Sequence, residues 1–112
     1  MKLVELYRAI TEKQGFTIDH ELNTVESKGY AVSYDNETKI PVSKLSLELL
    51  QGILEYYQSI STGAYIGAWL DGETVYFDVT QITDDLNTAI KLGHHYKQLA
   101  IFDLNEKNVI RL

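Results

Sequence analysis

The dipeptide Asp71-Gly72 stands between two β-rich runs. A two-residue reversal that needs positive φ at its central positions favours such a pair above most others. With these two residues as the turn, Ala68 faces Val75, Ile66 faces Phe77 and Ala64 faces Val79 on one side of the hairpin. The other side then carries Tyr65, Gly67, Trp69, Thr74, Tyr76 and Asp78. A hairpin over 64–80 is the expectation from which the rest of the chain can be placed.

Three segments have helical rather than strand periodicity. Leu3, Leu6, Tyr7 and Ile10 recur at helical spacing, which predicts a helix over about 2–14 ahead of Gly15. Leu47, Leu50, Ile53, Leu54 and Tyr57 define a second helix over 46–60, with Ser43 or Ser46 able to cap it. Leu86, Ala89, Ile90, Gly93 and Tyr96 define a third over 85–96, capped by Thr83 or Asp84, with basic residues near its negative end. Alternation of Tyr30, Val32 and Tyr34, followed by Asp35-Asn36-Glu37 and then Lys39–Val42, reads as a second hairpin over 30–42. Pro41 lacks an amide proton and places its strand at a sheet edge. Phe16–Ile18 is short and β-prone, and His20–Lys28 reads as a surface loop. Leu99–Leu104 is apolar on both alternations apart from Asp103, which predicts a strand in mid-sheet covered on both faces; a short strand over Val109–Leu112 follows. The expected fold is a single α+β domain over 1–112, with a largely antiparallel sheet and three amphipathic helices.

Composition narrows the function classes. A chain of 112 residues with 45% hydrophobic residues can bury one core. Sixteen acidic against ten basic residues, with no basic cluster, argue against direct nucleic-acid binding. Zero cysteines remove disulfides, thiolate metal sites and cysteine nucleophiles. No run approaches the roughly 20 apolar residues of a membrane span, and Glu5 and Arg8 interrupt the start where a signal peptide would be apolar. A cytoplasmic location, no membrane association and no cofactor are the expectations.

Few residues offer chemistry. Neither GxxxxGK[ST] nor GxGxxG occurs, so a glycine-rich phosphate cradle is not expected. His94 and His95 are consecutive on a helix and point about 100° apart, unsuited to sharing one metal ion. His20 beside Glu21 has no recognisable nucleophile around it. Asp78 and Asp103 each follow a Phe in a strand. Projecting from one sheet face, they would supply the paired carboxylates of an acid and base. The face with Tyr65, Trp69 and Tyr76 carries large aromatic rings, with Gly67 opposite Tyr76 leaving space over the backbone that something large, a ring or the first helix, should cover. Tyr and Trp are the residue types that anchor interfaces.

The run Gly63-Ala64-Tyr65-Ile66-Gly67-Ala68-Trp69-Leu70-Asp71-Gly72, with Val75-Tyr76-Phe77-Asp78-Val79 and Gln98-Leu99-Ala100-Ile101-Phe102-Asp103-Leu104, resembles a family of small proteins encoded by bacteriophages and integrative mobile elements of bacteria. The similarity extends to Gly15-Phe16-Thr17 and Gly29-Tyr30-Ala31-Val32. The family has no assigned activity, so no functional residue is carried over. What the resemblance implies is a setting: such genes travel with accessory functions, including inhibitors of host restriction or CRISPR nucleases.

These readings lead to a non-enzymatic interaction protein that meets a host or phage protein through Tyr65, Trp69, Tyr76 and Asp78. The alternative is a small-molecule binder or hydrolase that uses Asp78 and Asp103 in a pocket beside the sheet. Two covering layers are needed for a sheet apolar on both faces. If the helices from Ser46 and from Asp85 share one face, only the first helix is left for the other, and an uncovered patch would favour a homodimer through Trp69 and Tyr76.

Overall fold

The computed structural model describes residues 2–25, 28–60 and 64–112. Three helices, α1 (Lys2–Lys13), α2 (Leu47–Ile60) and α3 (Leu86–His95), accompany six strands: β1 (Gly15–Ile18), β2 (Tyr30–Pro41), β3 (Tyr65–Asp71), β4 (Thr74–Thr83), β5 (Ala100–Asp103) and β6 (Asn108–Arg111). The strands form one sheet in the order β1-β3-β4-β2-β5-β6, antiparallel at every junction. The α+β class and the three helices are as the sequence leads one to expect. Residues 26 and 27 of the expected loop 20–28 lie outside the described residues.

Helix starts follow local chemistry. The Ser46 hydroxyl accepts from the Leu49 N–H at 3.1 Å, satisfying one of the donors that the first turn of α2 leaves without a partner. α3 begins one residue later than expected. Its cap is therefore Asp85, whose carboxylate accepts from the Thr88 N–H at 3.0 Å, rather than Thr83 or Asp84.

The hairpin of β3 and β4 forms, but its turn is displaced by one residue. Asp71 pairs with Thr74, so Gly72 and Glu73 make the reversal. Gly72, with φ of +64°, takes the first central position, which a II′ turn reserves for glycine. Ala68 thus faces Phe77 and Ile66 faces Val79. The register moves by two residues in total, so every side chain keeps its expected face.

The second expected hairpin, 30–42, does not form. β2 is one continuous strand that pairs with β4 from Tyr30↔Thr83 to Pro41↔Thr74. The Asp35-Asn36-Glu37 segment is absorbed by two register shifts, between Ser33 and Asp35 and between Asp35 and Thr38. An extra residue on one strand bends it without reversing it, so turn chemistry here produces bulges. Pro41 still sits where it loses no ladder bond. β5 flanks only Tyr30 and Ala31, leaving the Pro41 end of β2 with β4 alone beside it. β5 is paired on both sides, yet lies one place from the edge because β6 takes the rim.

All three helices cover the same face. Leu6 and Ile10 of α1, with Leu50, Leu54 and Tyr57 of α2, bury Ile66, Val75, Phe77 and Val79. α3 places Ala89 over Val32 and Ile101. Val32 lies opposite Gln81, two residues from Val79 and therefore on the same side. Among the described residues no helix packs across the opposite face, although Glu5, Ala9 and Lys13 of α1 reach its β1 border.

Tyr57 locks α2 to the bend. Fully buried, its hydroxyl lies 2.7 Å from the Thr38 hydroxyl and donates to the Phe77 carbonyl at 3.1 Å, at the end of the second register shift. Burial pushes the Tyr57 hydroxyl pKa upward, so it remains a donor. Tyr57→Phe keeps the ring and strands these partners. It should destabilise the protein by about 1–2 kcal/mol, measured by urea denaturation with an unchanged m-value.

Candidate functional site

The uncovered face is concave. Arg111 on β6 pairs with Asp71 on β3, guanidinium to carboxylate 3.1 Å apart, and lies 5.2 Å from the centre of the Trp69 ring. In a flat sheet these strands, four places apart, would be separated by about 19 Å at about 4.8 Å per strand. The sheet therefore curls far enough to bring its last strand back toward its second. The open hollow on this face has a volume of about 990 Å³ and runs on past the β1 edge to Glu5, Ala9 and Lys13 of α1.

Strand alternation decides what enters this space. Gly67, Trp69, Tyr76, Asp78 and Thr80 are in mutual register on β3 and β4, all pointing away from the helices. Ser33 and Ala31 continue the face on β2, and Ala100, Phe102 and Val109 supply an apolar wall from β5 and β6. Tyr65 shares the face through its register with Thr80, and is half-buried.

Asp78 is the most unusual group in the floor. It is 6% exposed, and its Oδ1 accepts from Thr80 Oγ1 at 2.6 Å. Burial pushes its carboxyl up to about 7; hydrogen bonds from Ser33 and Thr80 hold it back, and the charge of Glu37 adds to the rise. At neutral pH the floor thus holds a carboxyl poised between its acid and its anion. The reason for Gly67 follows from the displaced turn: it lies opposite Asp78 rather than Tyr76. A Cβ there would come within 2.6 Å of Asp78 Oδ1 and would also collide with the Thr80 hydroxyl. The space over this glycine is filled by a carboxyl and a hydroxyl, not by a ring or by α1.

Trp69 and Tyr76 face one another across the hairpin, ring centres 5.9 Å apart. Each also has a cation of its own chain nearby: Arg111 over Trp69 and Lys39, 5.7 Å from the ring centre, over Tyr76. A dimer contact through these rings would compete with both. The indole Nε1 of Trp69 is buried with no hydrogen-bond partner among the described residues. Buried donors almost always find an acceptor, which makes this N–H notable on a cavity wall.

Other expectations change. Asp103 pairs with Tyr30, two residues from Ile101, and so belongs to the helix-covered face. Its carboxylate closes the following turn, accepting from the N–H groups of Asn105 and Glu106 at 2.8 and 3.1 Å. Asp78 and Asp103 therefore do not form a carboxylate pair. His94 and His95 sit exposed in the last turn of α3, and no cluster of three metal-ligating side chains occurs among the described residues. His20 is exposed, its carbonyl accepting from Gln58 Nε2 at 3.0 Å.

Sequence reasoning brings Tyr65, Trp69, Tyr76 and Asp78 to one face but misses Ser33, Thr80 and Arg111. Thr80 is legible, because residue i+2 in a strand shares the face of residue i. Arg111 is not, since nothing local shows that β6 returns to β3. Comparison with protein families, with curated proteins and with solved structures finds no match to this chain.

The sign of the Asp78 effect on stability is fixed by its direction. A carboxyl whose folded pKa lies above its unfolded value favours folding most below about pH 4, and that contribution is lost as pH rises to about 7. Asp78→Asn retains an acceptor for Thr80 and cannot ionise. It should melt close to the wild type at pH 4 and several degrees above it at pH 8, since each tenfold change in proton affinity is worth about 1.4 kcal/mol. Thermal melts across that range check it.

Proposed function

We propose that this chain is a binding protein whose ligand sits in the concave face of its curled sheet, against Trp69, Tyr76 and Asp78. The observation that carries the reading is the cavity itself. About 990 Å³ is at the upper end of ligand-sized sites, and the lining joins an apolar wall to a few convergent polar groups. With Asp103 on the other face, Asp78 is the buried carboxyl of the site, and its role is to orient a ligand through a hydrogen bond.

An uncharged apolar dye tests this without presuming the ligand's charge. Nile red should bind saturably with enhanced emission. Ala100→Trp, which fills the cavity from the β5 wall, should weaken it at least tenfold while leaving the far-ultraviolet circular dichroism unchanged. Undiminished binding in the folded variant would move the site elsewhere.

A second reading concerns a protein partner, and a different surface favours it. Besides the inward Leu50, Leu54 and Tyr57, α2 carries Leu49, Ile53, Tyr56 and Ile60 at spacings of four, three and four residues. Three of them are exposed, Tyr56 at 53%. Such spacing builds a seam along which another helix can lie. Together with the resemblance to phage and mobile-element proteins, it supports an accessory protein that engages a host target, including one in a defence nuclease. Leu49→Asp with Tyr56→Asp should then abolish capture of the specific partner from a bacterial host lysate and leave Nile red binding intact.

A further inference from the structure

We propose that the concave cavity takes an amphipathic anion, an apolar chain or ring system ending in a carboxylate or a similar acidic head. The inference rests on the reading of this face as the binding site and adds the chemical class of its occupant.

Charge distribution is the first argument. The chain as a whole is acidic, at −6. Among the described residues, however, the cavity lining holds Lys13, Lys39, Lys97 and Lys107 against Glu5, Glu37 and Asp78. Lys39 and Glu37 lie 3.6 Å apart and offset one another. Lys13, Lys97 and Lys107 are exposed and make no ion pair among the described residues; set against Glu5 and a half-ionised Asp78, and with Glu12 beside Lys13, they leave the mouth of this apolar space with a modest positive excess carried mainly by Lys97 and Lys107. A chain that is negative elsewhere presents here a locally positive entrance, and such an entrance attracts and retains an anionic head.

The second argument is the kind of hydrogen-bonding group left open. The orphaned buried atom is a donor, the Trp69 indole N–H; closed to solvent as the ring now lies, it lacks an acceptor, and a shift of the ring toward the hollow would let a bound head supply one. An anionic head supplies acceptors; an ammonium head supplies none. Asp78, half-protonated near pH 7 and neutral below it, adds a further donor as the pH falls and carries about half a negative charge at neutral pH.

The third argument is the wall. Ala31, Ala100, Phe102 and Val109 present carbon to the interior from β2, β5 and β6. A wholly hydrophilic anion would leave this surface wet, whereas an alkyl or aryl body covers it. Apolar body and acidic head together fit the lining.

The single tryptophan of the chain lies on this wall and serves as reporter. Decanoate, decylammonium and decanol share one chain length and differ in the head. Titrated below their aggregation concentrations, decanoate should change Trp69 emission saturably, with an affinity at least tenfold above decylammonium and above decanol. Lys97→Glu with Lys107→Glu should remove most of that preference, weakening decanoate far more than decanol. In the wild type, raising the salt from about 0.02 M to 0.5 M should weaken decanoate and not decanol, since screening acts on the head alone; this arm needs no variant to fold. Equal affinities for the three would overturn the charge assignment while keeping the cavity as a site. Preference for decylammonium would also overturn it, in favour of a cation held by Asp78. Failure of Nile red and all three amphiphiles would remove the binding site itself.

Discussion

The double bulge in β2 is the constraint on which the rest of the molecule depends. Without it, β2 and β4 would run as a regular ladder across the middle of the sheet, and the two ends would stay apart. The extra residues between Ser33 and Thr38 bend the central pair. Tyr57 of α2 secures the bend from the helix side by bonding Thr38 and Phe77. One side chain therefore joins the core to the curvature, and the curvature is what turns the helix-free face into a concavity.

That concavity accounts for how polar groups can be buried on a face with no helix over it. Asp78 is 6% exposed, set among Gly67, Thr80 and Ser33 of the three central strands. Gly67 makes room for it; burial strips its hydration and raises its proton affinity, while hydrogen bonds from Thr80 and Ser33 hold that rise back. Arg111 spans the gap to Asp71 and Trp69. With its side chain 62% exposed, the ion pair contributes about 0–1 kcal/mol, enough to bias the curl but not to hold it alone.

Much of this is legible from residue order, and the reasons for the remainder are physical. The three helices are visible because their apolar stripes are strictly periodic and their starts carry capping side chains. The β3–β4 hairpin is visible through its turn, and its faces survive a misplaced reversal because a two-residue slip preserves parity. What alternation cannot show is whether a polar break in a strand reverses it or bends it. Asp35-Asn36-Glu37 suits either, and the partner strand, far along the chain, decides. Asp103 is misread for the same kind of reason: its face is set by pairing with Tyr30, which no local pattern encodes. The aromatic face follows from the hairpin, but its concavity and its lysine rim arise from strands far apart in sequence.

The strand order also governs how the chain reaches this form. β3 and β4 are joined by two residues, so their pairing costs little loop entropy and can nucleate within microseconds. β2 must instead find β4 across the whole of α2 and β3, and β1 must find β3 across β2 and α2. Contacts of such separation are late and slow, which places a fold of this kind toward the millisecond-to-second end of folding times. The hollow draws its floor and walls from β2, β3, β4, β5 and β6 together, so it exists only when all of these long-range pairings are made. An occupant bound there would therefore stabilise the fully paired sheet over any partly paired form.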